Sequence, residues 1–185
     1  MKIKPTPKRG HVVVELDRKD EALLTESAAT VKSPFRIKKI LVPVDFSDCS
    51  KKALQYAIPF ARQFDAALTL LHVVQANYYV GDFGTIDTAL LETEMRKNAE
   101  KQLADLAARE VGKGLRCETT LRTGRIVSEI VEVARQTQTD LIIISTHGHT
   151  GLKHILLGSV AENVVRHAPC PVLIVRQQEH DFIAK

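Results

Sequence analysis

The chain has 185 residues, 44% apolar and 26% charged, with a net charge of +4. That is about one domain of ordinary globular composition, and it excludes a collagen-like, wholly disordered or disulfide-scaffold protein. The mild positive charge includes no Lys/Arg block and so gives no nucleic-acid signature.

Residues 1–36 carry +3 of that charge and differ from the rest. Lys4 to Gly10, with Pro5 and Pro7, reads as a flexible arm, Val12 to Val14 as a short strand, and residues 20–29 as a short helix. We expect an N-terminal extension, partly ordered or flexible, ahead of a domain over residues 37–185. It is either a loose tail or an arm laid against a partner subunit.

From Ile37 the pattern is regular. Ile40 to Val44 reads as a buried strand that ends near Pro43, because proline cannot donate to a ladder. Ser47 is an N-cap for a helix with Ala53, Leu54, Ala57, Ile58, Ala61 and Phe64 at helical spacing, and Pro59 predicts a kink in it. Ala67 to Val74 is a second strand, followed by a loop from Gln75 to about Asp87. Leu91, Met95, Ala99, Leu103 and Leu106 then mark the inward face of a helix that Gly112 and Gly114 end.

Leu115 to Arg122 alternates, with Leu115, Cys117, Thr119 and Leu121 on one side. That predicts a half-exposed strand near a sheet edge. Gly124 introduces a helix with Ile126, Ile130, Val133 and Ala134. Asp140 to Ser145 is the most apolar strand and is expected to be central. A loop from Thr146 to Leu157, a helix from Ser159, and a last strand from Val172 to Val175 complete the chain. Five strands alternating with four helices mean an α/β fold: a parallel sheet covered on both faces, with ligands at the carboxyl ends of strands where strand order reverses.

The segment Ser145-Thr146-His147-Gly148 through Gly158-Ser159 leaves an apolar strand and enters a helix. Its two glycines allow close approach of backbone N–H groups to a ligand, and Ser159 with Glu162 matches a Ser-x-x-Glu capping box. The first helical turn presents N–H groups and partial positive charge, which favours phosphate. Asp45 either accepts from ribose hydroxyls or approaches a phosphate-bound Mg, or it caps the next helix together with Ser47.

These stretches resemble the universal stress protein family. The resemblance rests on Ile40 to Ser47, Leu71-His72-Val73, Thr146-His147-Gly148-x9-Gly158-Ser159, and Cys170 to Val175, and it spans about residues 37–176. Nucleotide-binding members carry G-x2-G-x9-G-[ST], and here Ser145 stands at the first glycine. A backbone needing positive φ there would strain serine, whereas a need for a small side chain alone would not.

The resemblance implies a three-layer sandwich with a five-stranded parallel sheet in the order 3-2-1-4-5. It places Pro43, Val44 and Asp45 around a nucleoside, Val73 against adenine through its backbone, and Ser145, Gly148, Gly158, Ser159 and Val160 around ribose and phosphates. It implies ATP with Mg as ligand and a homodimer along Val172 to Val175, whose exposed apolar edge also gives the dimer a physical reason. The function expected is a non-catalytic, nucleotide-sensitive stress-response protein with protein partners not named by the sequence. The alternatives are an interaction module with a vestigial pocket, or a slow ATP hydrolase.

Other signatures are missing from the sequence. There is no G-x-G-x-x-G after the first strand, no GxxxxGK[ST], no G-x-S-x-G, and no nucleophile–base pair. His147, His149 and His154 have no Cys or carboxylate among them at ligand spacing, so a metal site is not expected, and His72 reads as a hydrogen-bonded core residue. Arg125 is expected at a solvated helix start, with a phosphate contact as its alternative. Cys49, Cys117 and Cys170 are far apart and odd in number, no apolar run reaches the ~18 residues of a membrane span, and no signal peptide is evident. A cytoplasmic protein without membrane or nucleic-acid partners is the expectation.

Overall fold

Apolar residues two apart on a strand share a face, so a run such as Ile40-Leu41-Val42 must be covered on both sides. A computed structural model of the protein describes residues 2–5, 12–15, 36–75, 88–147, 158–178 and 183. The chain divides into two compact units, Met1–Arg36 and Ile37–Lys185.

In the first unit, β1 (Lys2–Pro5) pairs antiparallel with β2 (Val12–Glu15), with Pro5 opposite Val12. Lys4 and Pro5, expected in an arm, therefore belong to a strand. A partner strand one short connection away supplied the pairing that propensity alone did not suggest. The helix expected at residues 20–29 lies outside the described residues.

The second unit holds β3 (Lys39–Pro43), α1 (Asp48–Phe64), β4 (Ala67–Val74), α2 (Thr88–Glu110), β5 (Cys117–Thr123), α3 (Ile126–Gln136), β6 (Leu141–Ser145), α4 (Ser159–His167) and β7 (Val172–Val175). The five strands form one parallel sheet ordered β5-β4-β3-β6-β7, which is 3-2-1-4-5 counted from β3. Strand order reverses at β3, so its junction with β6 is the topological switch point.

Each face of the sheet has its own core. Ile40, Val42, Val44, Leu68 and Leu70 pack with Ala53, Leu54, Ala57 and Ala61 of α1 and with Leu103 and Leu106 of α2. Leu41, Leu71, Ile142 and Ile144 pack with Ile130, Val133 and Ala134 of α3 and with Val164 of α4. Each such aliphatic side chain contributes about 1.5–3 kcal/mol by leaving water, so a one-residue slip of β3 would exchange both cores at once.

Helix α1 starts as expected: Ser47 is its N-cap and accepts from the Ser50 N–H. It ends at Asp65 in the left-handed region, φ 50°, and runs as one element through the exposed Pro59. Met95, expected on the inward face of α2, is 45% exposed. The 23 residues of α2 span about 35 Å at 1.5 Å each, about six residues more than the roughly 26 Å of the eight-residue β4 can underlie, and residues 92–98 are all exposed. Gly112 and Gly114 follow it at φ 70° and 92°.

Strand β5 is an edge strand, as its half-polar pattern predicts, but its alternation is imperfect. Thr119 is exposed while Thr120 and Arg122 are half-buried. Arg122 folds back along α3, where Nη2 donates to Gln136 Oε1 at 3.0 Å. Strand β6 is buried at all five positions and lies between β3 and β7, one place from the middle. At the amino-terminal edge of the sheet, Asp140 Oδ2 accepts from the main-chain N–H of Lys38 (2.7 Å) and Lys39 (2.9 Å), which fixes the start of β3 to the start of β6. Among the described residues, no helix is long and apolar enough to cross a membrane.

Candidate functional site

The carboxyl edge of the sheet at the switch point is built by the ends of β3, β4 and β6 and by the start of α4. On the β4 side, β3 stays paired through Pro43 opposite Leu71, and Val44 N–H continues to Leu71 O at 2.8 Å. On the β6 side the register runs only from Ile40 opposite Leu141 to Leu41 opposite Ile142. Because Val44 N–H faces β4, the neighbouring position 43 faces β6, and proline has no N–H to give there. Pro43 therefore ends the pairing on one side only.

Asp45 follows at once. Its Oδ1 accepts from Ser47 N–H (3.1 Å) and from Ser47 Oγ (2.5 Å), so Asp45 braces the N-cap residue of α1. Ser50 is 2% exposed and donates Oγ to Ser47 O, while Asp45 N–H reaches the same Oγ at 3.4 Å. Between Asp45 and Ser47, Phe46 takes φ 66°, a left-handed backbone that a bulky residue adopts only when its surroundings hold it. Its ring lies 4.4 Å from the His72 ring, and His72 Nδ1 donates to Val44 O at 2.8 Å. His72 is thus hydrogen-bonded, as expected, and its acceptor is the main chain just ahead of Asp45. Val73, half-buried, packs on the core under α3 and α4.

From β6, Ser145 is 8% exposed, its φ is not positive, and its Oγ donates to His147 O at 2.9 Å. The site therefore asks for a small side chain there, and serine fits without strain. Thr146, 3% exposed, is the hub: its N–H donates to Val175 O (3.0 Å) and its carbonyl accepts from Gly158 N–H (2.8 Å). A Cβ on Gly158 would stand 2.5 Å from that carbonyl oxygen, so glycine is required there by close approach.

Two expectations change here. The Gly158 amide is spent on Thr146 and is not presented to a ligand. Nor does the Ser159–Glu162 capping box form: Gly158 is the N-cap, at φ −67° and ψ 150°, so Ser159 is already the first helical residue, and Glu162 pairs with Arg166 at 2.9 Å. The close contact at Thr146 sets the helix start one residue early. The amides of Ser159, Val160 and Ala161 then lie in the first turn, where a helix supplies no acceptor and no N-cap side chain covers them. Ser159 is exposed, and Val160 packs on the same core as Val73.

Gly148, His149 and His154 lie outside the described residues. Arg125 is the exposed N-cap position of α3, which matches a solvated helix start. Among the described residues no group of three or more His, Cys, Asp or Glu could hold a metal ion. Burial, then the carboxylates of Asp45 and Asp48, push the Cys49 thiol above its ordinary range, so it is a poor nucleophile there. Sequence reasoning missed the Phe46–His72 contact and the Thr146 hub, because His72 lies one residue past the end of β4's match to β3, which only the fold reveals.

Comparison with known proteins gives the same picture. The universal stress protein family model matches residues 36–176. Universal stress protein MJ0531 of Methanocaldococcus jannaschii is 36% identical over 144 residues, covering 78% of this chain and 85% of that protein. The solved structure of MJ0577 from the same organism superposes with TM-score 0.69 at 31% identity, covering 79% of this chain and all of that one. Two neighbours that share the fold are a universal stress protein in complex with cAMP (24% identity, TM-score 0.60, 78% of this chain and 100% of that one) and one from Archaeoglobus fulgidus in complex with dAMP (23%, 0.53, 76% and 98%). On the family match and the identity to MJ0531, this chain belongs to the universal stress protein family.

Proposed function

We propose that the switch-point crevice binds an adenine nucleotide, ATP with Mg, and that the protein acts as a nucleotide-sensitive homodimer without catalysing turnover. The observation that carries this reading is the start of α4, whose first-turn amides are held beside the end of β6 by the Gly158–Thr146 contact. Oriented amides and the helix dipole favour phosphate oxygens over water. The amides of Ser159 and Val160 would take phosphates, the Ser145 region the ribose, Pro43 and Val44 the nucleoside, and the Asp45 carboxylate the Mg that ATP brings. Val73 would meet the base through its main chain. The cAMP and dAMP complexes are properties of those two proteins and support only that this fold can hold an adenylate.

Isothermal titration of the full chain with Mg-ATP tests it. Saturable heat with one site per chain is expected, and no heat at high protein concentration overturns the reading.

The dimer reading rests on β7. Thr146 N–H goes to Val175 O and Ile142 N–H to Pro171 O, so odd-numbered residues of β7 face β6. The N–H groups of Val172 and Ile174 face away, on a sheet edge of half-buried apolar residues, which is a template for pairing with a second copy. Light scattering should give twice the 20.6 kDa chain mass, and Val172→Pro, which removes an outward donor, should shift it toward one. A wild-type monomer would refute the dimer.

A further inference from the structure

Strand β5 closes the sheet on the side opposite β7, and its outer edge has no main-chain partner among the described residues. Leu68 N–H donates to Arg116 O and Gly124 N–H to Val74 O, so even-numbered residues of β5 bond to β4. The main-chain groups of Cys117, Thr119, Leu121 and Thr123 therefore face outward. This edge is seven residues long against four in β7, and neither proline nor bulge interrupts it. An open edge of that kind is a template for another strand.

Its side chains select which strand fits. Glu118, Thr120 and Arg122 stand opposite Thr69, Leu71 and Val73, on the face of the sheet that packs against α3. Helix α3 lies over β4, whereas α2, on the other face, lies over β4 and β5. Arg122 gives Nη2 to Gln136 Oε1, and its Nε is buried without a partner among the described residues. Glu118 is exposed and has no ion pair among them. A guanidinium lacking a carboxylate and a carboxylate lacking a cation thus share one face of one open edge.

We propose that β5 is a second self-association edge, on which a second copy of this chain pairs its own β5 antiparallel about Thr120. In that register Cys117 meets the partner's Thr123 and Thr119 the partner's Leu121, so every outward group is used, in about eight main-chain bonds. Glu118 stands opposite the partner's Arg122, and Arg122 opposite the partner's Glu118. Both charge pairs fall at the non-hydrogen-bonded positions, where side chains are closest and opposite charges attract. Moving the centre to Leu121 would set Glu118 against the partner's Gly124, so the charges fix the register. Because α2 lies over β4 and β5 together, the partner's α2 would come alongside at roughly 10 Å, an ordinary packing distance. This edge is polar where β7 is apolar, so its pairing is the weaker of the two and sensitive to salt. Two-fold contacts on both edges would join copies into a run.

Sedimentation velocity of the full chain, from micromolar to millimolar protein, tests it. The mass at the highest concentration should be at least twice that at the lowest, and should fall back in about 0.5 M salt. Glu118→Arg and Arg122→Glu each set like charges opposite one another, and each should weaken the step at least about tenfold. An equal mixture of the two variants again sets opposite charges face to face, and should recover the wild-type mass. Thr119→Pro removes an outward donor without touching the bonds to β4, and should also weaken the step.

A mass independent of concentration overturns the proposal. So does association that survives Glu118→Arg, or a mixture of the two variants that stays at the low mass. Should Arg122→Glu fail to fold, Glu118→Arg, Thr119→Pro and the salt series decide. Nucleotide plays no part in the pairing, and the readout is growth beyond the low-concentration mass, so failure of the nucleotide or β7 readings leaves the test intact.

Discussion

The two flanks of β3 end in different ways. Toward β4 the pairing runs through Pro43 and is prolonged by Val44 N–H and by the His72 side chain. Toward β6 it stops at Leu41 opposite Ile142, because the next donor position is a proline. One residue type thus leaves a strand bonded on one flank and unbonded on the other. The seam opens at the place where the strand order reverses, and the first turn of α4 is brought to it by a single close contact. The β4 flank carries rigidity and the β6 flank carries the opening.

The largest test of that contrast is Gly158→Val. Its Cβ would meet the Thr146 carbonyl at 2.5 Å, and neither main-chain group is the far end of a flexible side chain. We expect a loss of about 3 kcal/mol, seen as a melting temperature roughly 6–12 °C lower, together with loss of Mg-ATP binding. An unchanged melt would mean that α4 is not anchored there.

Asp140→Ala attacks the same β3–β6 seam from its other end. It removes the acceptor of two main-chain N–H groups, and chemical denaturation should show a loss of about 1–2 kcal/mol with nucleotide affinity unchanged. Equal damage to affinity would show that the two ends of the seam are coupled.

Ser159→Glu separates the opening from the fold. A carboxylate at the first helical position suits the dipole, so the melting temperature should hold or rise slightly, while like-charge repulsion should weaken Mg-ATP binding about tenfold by titration calorimetry. The smallest change is Gln138→Gly, in the turn between α3 and β6. Gln138 is exposed at φ 54°, so glycine should stabilise by about 0.5 kcal/mol in denaturant melts without touching binding.

Much of the fold could be read from periodicity. Ala67 to Val74 is β4 as read, and Ala53, Leu54, Ala57 and Ala61 all face the core from α1. Local composition signals such elements because each buries a face of its own. The site was legible only in part. Pro43 and Ser47 act through their own backbone chemistry, which the sequence states outright. The roles of His72, Phe46 and Thr146 depend on which main-chain groups another strand brings to them, and no local pattern encodes that. The capping box failed for the same reason: Ser-x-x-Glu at residues 159–162 is a valid local motif, but the Thr146 carbonyl, reached through the tertiary fold, fixed the helix start at Gly158. Met95 shows the matching limit for length, since helical spacing marks a face but not how far the sheet beneath it extends.

The bond from Gly158 N–H to Thr146 O has a consequence for how such a protein could diversify. It joins the two ends of the intervening stretch directly to one another, and Thr146 is itself moored to β7. The cost of closing a longer insert between fixed ends rises by only about 0.6 kcal/mol per doubling of its length. A connection of different length or chemistry could therefore be exchanged between the two moorings while the sheet beneath kept its geometry.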